Sequence, residues 1–270
     1  MIELVNPNFL RGAIRCAVFD FDGTLSLLRE GWHAIMATQM FEALRQTPAC
    51  ETAGELDSFI DDLIHATTGQ QTIYQMKRLA EEVAQRGGQP ATPATYKREF
   101  AERILARANA RLAAIHAGEN SAEAWLVPGA RAWLATLHTQ GIICYIASGT
   151  DEEFVRRESA ALGIAPYFAG IFGAHDADPK NHSKKAIIAR LVAQHALRPG
   201  ELVTFGDGAP EIADTKAVGG IGVGVASNED TRTGINARKR ATLIAAGADV
   251  IVPDFSVGET LRAHLFAPAP

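Results

Sequence analysis

Asp20 and Asp22 stand one residue apart in CAVFDFDGTLS (Cys16–Ser26), directly after an apolar run that reads as a buried strand. Two carboxylates at the lip of a core repel each other unless positive charge lies between them. Three further stretches carry chemistry of a matching kind. Ser148-Gly149-Thr150 closes IICYIAS with hydroxyls and a backbone amide that could grip an anion. Lys180, Lys184 and Lys185 cluster before and at the start of the run KKAIIARLVAQH. Asp207 and Glu211 lie in FGDGAPE. Each stretch alone has an ordinary reading, as a turn or a solvated face. Together, on one edge, they would form an anion-and-metal site. The lysines add a clue of their own. Ser183 reads as a helix N-cap, which puts Lys184 and Lys185 in the first turn. The helix dipole disfavours cations there by about a few tenths of a kcal/mol each. Carboxylates or a bound phosphate nearby would offset that cost.

The elements that must position these residues fall into two patterns. From about Leu28 to Ala117 apolar residues recur only at helical spacing. Trp32, Ile35, Met36, Met40 and Leu44 form one stripe, and Leu56, Phe59, Ile60, Leu63 and Ile64 a second. Ile73, Met76, Leu79 and Val83 form a third. A fourth, Tyr96 to Ile115, follows the loop GGQPATP. From Val127 onward short apolar runs at 142–148, 201–208, 220–227 and 248–254 alternate with helical runs at 129–139, 152–162, 184–196 and 235–246. That alternation predicts a parallel sheet covered on both faces, joined by the opening strand 14–20. The fold class is α/β: a Rossmann-like parallel sheet core, residues 1–27 plus 127–270, with an inserted all-α helical-bundle cap at 28–126. In such sheets ligands bind beyond the carboxyl ends of the strands, where all four stretches lie.

Composition narrows the function classes. The chain has 270 residues, 47% hydrophobic and 21% charged, enough to bury a sizeable core. A formal net charge of −5 argues against nucleic-acid and membrane partners. The three cysteines, Cys16, Cys50 and Cys144, form no CxxC pair, and two of them sit in strand-like runs as buried thiols. The opening residues are too short and interrupted for a signal peptide, and no apolar run reaches about 18 residues. A cytoplasmic protein, monomer or homodimer, is expected. Beyond the APAP tail there is no low-complexity segment.

DFDGT, IASGT, SKK at a helix start and GDGAPE, in this order and with a helical segment after the first, resemble the four motifs of the haloacid dehalogenase (HAD) superfamily, in its phosphoglycolate phosphatase-like or sugar phosphatase-like branch. The resemblance implies a Mg²⁺-dependent phosphatase acting on a small-molecule phosphate ester. Asp20 would be the nucleophile that forms an aspartyl-phosphate, and Asp22 the general acid and then base. The carboxylates of Asp20 and Asp207 and the backbone carbonyl of Asp22 would hold the metal, with Glu211 behind a metal-bound water or the lysine. Ser148 and the Gly149 amide would grip the phosphoryl oxygens. Lys184 is the first choice for the lysine that neutralises nucleophile and phosphate, ahead of Lys180 and Lys185. Thr24 and Thr150 complete the phosphate side. The presence of Asp22 sets the chain apart from the carbon–halogen and phosphonate-cleaving members, and DKTGT of the cation pumps is absent. Two alternatives stay open: a phosphomutase, and a non-catalytic binding protein on the same fold.

Substrate choice would rest with the cap. LREGW leads from the catalytic loop into the first cap helix, so Arg29, Glu30 and Trp32 could face the leaving group, although Trp32 also sits on the apolar stripe. Gly69 and Gln70 in the turn TTGQQT could dip into the site, or mark a plain surface turn. Hydroxyl-matching residues there would suit a sugar phosphate. GIGVGVA lacks the strand–loop–helix context of a dinucleotide loop. IASGT is not a nucleophile elbow, since Ile146 replaces its first glycine. His175 and His182 read as loop residues, and ARKRA (237–241) as the wet face of a helix.

Overall fold

The computed structural model describes residues 2–229 and 231–266, so the APAP tail at 267–270 lies outside the described residues. The chain runs β1 (Glu3–Leu4), β2 (Cys16–Phe19), α1 (Trp32–Leu44), α2 (Ala53–Thr67), α3 (Thr72–Gln85), α4 (Pro93–His116), α5 (Ala130–Thr139) and β3 (Ile143–Asp151). It continues through α6 (Glu152–Ala161), β4 (Phe168–Ala174), α7 (Lys184–Gln194), β5 (Leu202–Gly206), α8 (Ala209–Ala217), β6 (Ile221–Val225), α9 (Ala237–Ala245), β7 (Val250–Val252) and α10 (Gly258–Phe266).

The strands form one sheet in the order β1-β7-β6-β5-β2-β3-β4, parallel except for β1. All four residues of β2 are buried, as a central strand covered on both faces requires. From β2 the chain reaches β3 on one side and β5 on the other, so the strand order reverses at β2. Such a reversal opens a crevice at the carboxyl ends. Phe19, Phe205, Trp133 and Phe255 pack beneath it, with the rings of Phe19 and Phe205 stacked at 4.6 Å. Two strands escaped the sequence reading: β1 is two residues long, and β4, FAGIFGA, is built largely of small residues. The run GIGVGV forms β6 as expected. A Cβ on Gly224 would come within 2.7 Å of Ile251 on β7 and 3.0 Å of Leu243 on α9, so this glycine lets strand and helix side chains pack over β6.

The helices α1–α4, inserted after β2, pack around their own core of Met36, Met40, Leu44, Leu56, Ile60, Ile64, Met76, Leu79, Phe100 and Ile104. Local signals start them. Thr52 and Glu55 form a capping box at α2, and the Thr92 side chain caps α4 with Pro93 in its first turn. The end of α4 belongs elsewhere, because Leu112 packs with the sheet core. Among the described residues no helix is long and apolar enough to cross a membrane.

Candidate active site

The register of the three central strands assembles the site. Phe19 pairs with Phe205 on one side and Ile146 on the other. Asp20 therefore follows one residue beyond that row, while Ser148 and Asp207 each follow two beyond. The Asp20 N–H still donates to the Phe205 carbonyl at 2.9 Å, which carries the strand geometry one step past β2. The Ser183 side chain caps α7 by accepting from the Ala186 N–H, and the helix start then aims Lys184 inward. Its Nζ donates to Asp20 Oδ2 at 2.7 Å and to Glu211 Oε2 at 3.0 Å. Lys184 and both acids are buried. Lys180 and Lys185 stay exposed.

The acids converge on one point. Asp20, Asp207 and Glu211 each offer a carboxylate oxygen, all within 4.8 Å of one another. Asp20 Oδ1 accepts the Phe21 N–H at 2.8 Å and Glu211 Oε1 the Gly208 N–H at 2.8 Å. An all-oxygen set of this kind suits a hard divalent cation. Burial pushes the Asp20 carboxyl upward and the Asp207 charge adds to this, while Lys184 and the Phe21 N–H pull the other way. Burial raises Glu211 to about 8 against the opposing Lys184 charge. The Lys184 ammonium is disfavoured by burial, but the charges of Asp20 and Glu211 outweigh this and raise it above its ordinary value.

Asp22 is held differently. Its Oδ2 accepts the Thr150 hydroxyl at 2.7 Å, while Oδ1 lies 3.7 Å from the Arg29 Nε and takes no hydrogen bond. Burial raises the carboxyl to about 7; Glu158 and Asp20 add to the shift, and Arg29 and Thr150 oppose it. A carboxyl that titrates near neutrality, with one oxygen free of hydrogen bonds, can give and take a proton. Ser148 is buried beside it and accepts the Thr150 N–H at 3.1 Å.

A cleft of about 90 Å³ joins these groups to the cap. Asp20, Asp22, Arg29, Ser148, Gly149, Thr150, Lys184 and Asp207 line it, and so do Trp32, Gly69 and Gln70. The turn TTGQQT does dip inward. Gly69 has φ +84°, and a Cβ there would stand 2.9 Å from Pro210 and 3.1 Å from the Glu211 carboxylate. A Cβ on Gly149 would lie 2.8 Å from the Gln70 carbonyl oxygen. Gln71 clamps the turn by donating to the carbonyls of His182 at 2.8 Å and Pro179 at 3.1 Å.

Several expected residues point elsewhere. The Thr24 hydroxyl donates toward Asp207 Oδ1 at 3.4 Å and does not line the cleft. Glu30 turns to Arg232 at 2.8 Å instead of a leaving group. The stretch ARKRA is a largely wet face, as expected, with one exception. Lys239 turns inward and bonds Asp207 Oδ2 and Glu229 Oε1, both at 2.7 Å, because those two carboxylates need a cation. Burial disfavours the Lys239 charge, yet Asp207 and Glu229 raise its ammonium overall. Arg238 reaches across to Asp61 and Asp62 of α2, and Arg240 pairs with Glu3. The rings of His175 and His182 lie 5.0 Å apart, tilted by 30°, outside the cleft.

Sequence reasoning also missed Lys97 and Glu158. Lys97, on α4, crosses from the cap to Asp151 at 2.6 Å and Asp176 at 2.5 Å. Glu158, fully buried on α6, holds Arg29 through two hydrogen bonds at 3.1 and 2.7 Å. A lysine between an apolar Tyr96 and Phe100 was the available signal for the first. Nothing local marked the second.

A family model for haloacid dehalogenase-like hydrolases matches residues 14–219. No curated protein gives a significant match. Solved structures share the fold at low identity. One is a "predicted phosphoglycolate phosphatase" from Haemophilus somnus, 18% identical over 92% of this chain and 98% of that one, with a TM-score of 0.60. Another is a phosphatase, also named by prediction, from Clostridium acetobutylicum, 17% identical over 94% and 100%, with a TM-score of 0.61. A third is a β-phosphoglucomutase from Clostridium difficile, 15% identical over 93% and 97%, with a TM-score of 0.60. With most of its length matched by the family model and its sheet, cap and strand-end acids in place, this chain belongs to the haloacid dehalogenase-like hydrolases.

Proposed function

We propose that the protein is a Mg²⁺-dependent phosphatase that hydrolyses a small phosphate monoester by way of a phosphoryl group carried on Asp20. The observation that carries this reading is the division of labour between two neighbouring acids. Asp20 is tied to a buried lysine at 2.7 Å, and Asp22 titrates near 7 with one oxygen unbonded. An oxygen of Asp20 attacks phosphorus, and the bond from phosphorus to the ester oxygen breaks. Asp22 gives its proton to the departing alkoxide. The now ionised Asp22 takes a proton from water, whose oxygen attacks phosphorus and releases phosphate from Asp20. Lys184 offsets the charge of Asp20 and of the incoming anion throughout, and Ser148 with the Gly149 amide orients the phosphoryl oxygens.

The oxygen donors fit Mg²⁺, with Asp20, Asp207 and the Asp22 carbonyl as holders and Glu211 in support. When bound, the ion supplies positive charge against the phosphoryl oxygens. Residues 28–126 are assigned as the cap that encloses the reaction, and 1–27 plus 127–270 as the catalytic domain. Three cysteines without a disulfide suit a cytoplasmic setting.

Hydrolysis is favoured over a mutase by the charge pattern. A mutase that works through a sugar bisphosphate needs a second anion site. Among the described residues lining the cleft, the only cations are Arg29 and Lys184, and both are already paired with carboxylates. The test is phosphate release from a panel of phosphate esters, with Mg²⁺ and with chelator, for wild type and Asp20→Asn. Release that disappears with chelator and with Asp20→Asn is expected. Release that survives either would contradict the reading.

A further inference from the structure

The cleft is walled by two unlike surfaces, and the cap side specifies what can leave. Trp32 and Met36 of α1 face it together with Phe100 and Ile104 of α4. Met36 and Ile104 are each only 1% exposed, so this wall is continuous with the apolar core of the cap. A polyhydroxylated leaving group set against it would lose water from its hydroxyls and gain no partner. The cap's polar side chains in the cleft, Thr68, Gln70, Thr72 and Gln75, come from the turn at 67–72 and the start of α3, away from this wall. Gln75 there is turned aside, donating to the Thr67 hydroxyl at 3.4 Å.

Charge narrows the choice further. Arg29 is the one guanidinium on the wall, and it is fixed by two hydrogen bonds to the buried Glu158. The Phe154 ring lies 5.5 Å from it on another side. Neutralised in this way, it offers little to a second phosphate or a carboxylate. The Lys184 ammonium lies between Asp20 and Glu211. An extra anion on the substrate would enter a cleft whose two cations already have partners.

Resting on the phosphatase reading above, we infer that the leaving group is an electrically neutral alcohol with an apolar face, and that esters bearing a second anionic group or a full set of sugar hydroxyls are disfavoured. Trp32 and the Arg29–Glu158 pair are then specificity determinants: the ring seats the apolar face, and the pair withholds a cation.

A series of four-carbon esters with similar leaving oxygens tests this on the Mg²⁺-supplied enzyme: n-butyl phosphate, a tetritol phosphate and 4-phosphobutyrate, each against Asp20→Asn as blank. The expected order of kcat/KM puts butyl phosphate about 10-fold above tetritol phosphate, since each methylene seated on an apolar wall contributes about 4-fold. It stands about 100-fold or more above 4-phosphobutyrate, whose carboxylate is buried unpaired. Trp32→Gln should narrow the butyl-to-tetritol ratio to within about 3-fold. Glu158→Gln, which releases the Arg29 charge, should raise 4-phosphobutyrate relative to butyl phosphate by about 10-fold. A wild-type preference for the tetritol or carboxylate ester, with release still dependent on Asp20, overturns this inference and leaves the phosphatase reading standing. Absence of Asp20-dependent release from every ester overturns the phosphatase reading itself, and the inference with it.

Discussion

The two walls of the cleft are made of opposite materials. The sheet side presents Asp20, Asp22, Asp207 and Lys184, all buried or half-buried, with Lys184 bound both to Asp20 and to the buried Glu211. The cap side presents Trp32, Met36, Phe100 and Ile104, with a glycine turn at its edge. The sheet wall concentrates charge that no stability argument would choose, because every buried ion carries a desolvation cost. The cap wall is ordinary helical packing, left unfinished on one side. The difference teaches where each task sits. On the proposed reading, bond-breaking groups are fixed at strand ends by sheet register, and selection is left to helices that can vary without disturbing them.

The hardest blow to this comparison is removal of a sheet-wall nucleophile. Asp20→Asn should lower kcat by roughly 10⁴-fold or more with the fold retained, as seen by an unchanged circular dichroism spectrum. Asp22→Asn comes next, with a loss of roughly 10²- to 10⁴-fold, the range for one positioned acid–base group. Comparable activity in either variant, measured by phosphate release, would mean that the acids of the sheet wall are structural.

A change in the cap core behind its wall should behave in the reverse way. Ile60→Ala, inside the cap core and away from the cleft, should cost about 2–5 kcal/mol of stability in denaturant unfolding. It should shift kcat by less than the acid variants do. Between the walls lies Lys97, bridging α4 to Asp151 and Asp176. Lys97→Met should raise KM several-fold while kcat falls less, because the latch positions the cap and touches no reacting atom. An equal fall in kcat and kcat/KM would place Lys97 in the chemistry instead.

The smallest expected effect is on pH dependence. Burial raises Asp22 to about 7 and Glu211 to about 8, so between about pH 5 and 8 the folded chain binds protons that the unfolded chain has released. More protons on the folded state mean that stability falls as pH rises through this window. The melting temperature of chelator-treated protein should therefore drop from pH 5.5 to pH 8, and Mg²⁺ should recover part of it at pH 8. A melting temperature that does not fall over the same span would show these carboxyls to be ionised in the fold already at pH 5.5.

How much of this could be read from the sequence follows from what local patterns encode. DFDGT, SGT and GDGAPE sit at the ends of apolar runs, and a parallel sheet brings such ends together whatever the rest of the chain does. Ser183 as an N-cap singled out Lys184, because a cap fixes which residues occupy the first turn. The four cap helices followed from apolar spacing alone. What stayed hidden depended on partners distant in sequence. Lys239 lies in ARKRATL among other cations, and only the fold reveals that it meets Asp207 and Glu229. Glu158 lies in a polar helix, and its burial against Arg29 joins residues far apart in the chain. FAGIFGA reads poorly as a strand because its alanines and glycines carry little apolar pattern. In the structure it completes one edge of the sheet beside β3.

The central claim is that Asp20 carries the phosphoryl group between two displacements. The most direct test is acid-quenched mass spectrometry of Asp22→Asn, in which release from Asp20 is slowed, during exposure to acetyl phosphate and Mg²⁺. Acetyl phosphate has a leaving group that needs no protonation. The account predicts one added phosphoryl group on the peptide containing Asp20, absent when Asp20 is also replaced by Asn. Wild-type turnover that depends on Asp20, with the phosphoryl group found on another residue of Asp22→Asn, would contradict it.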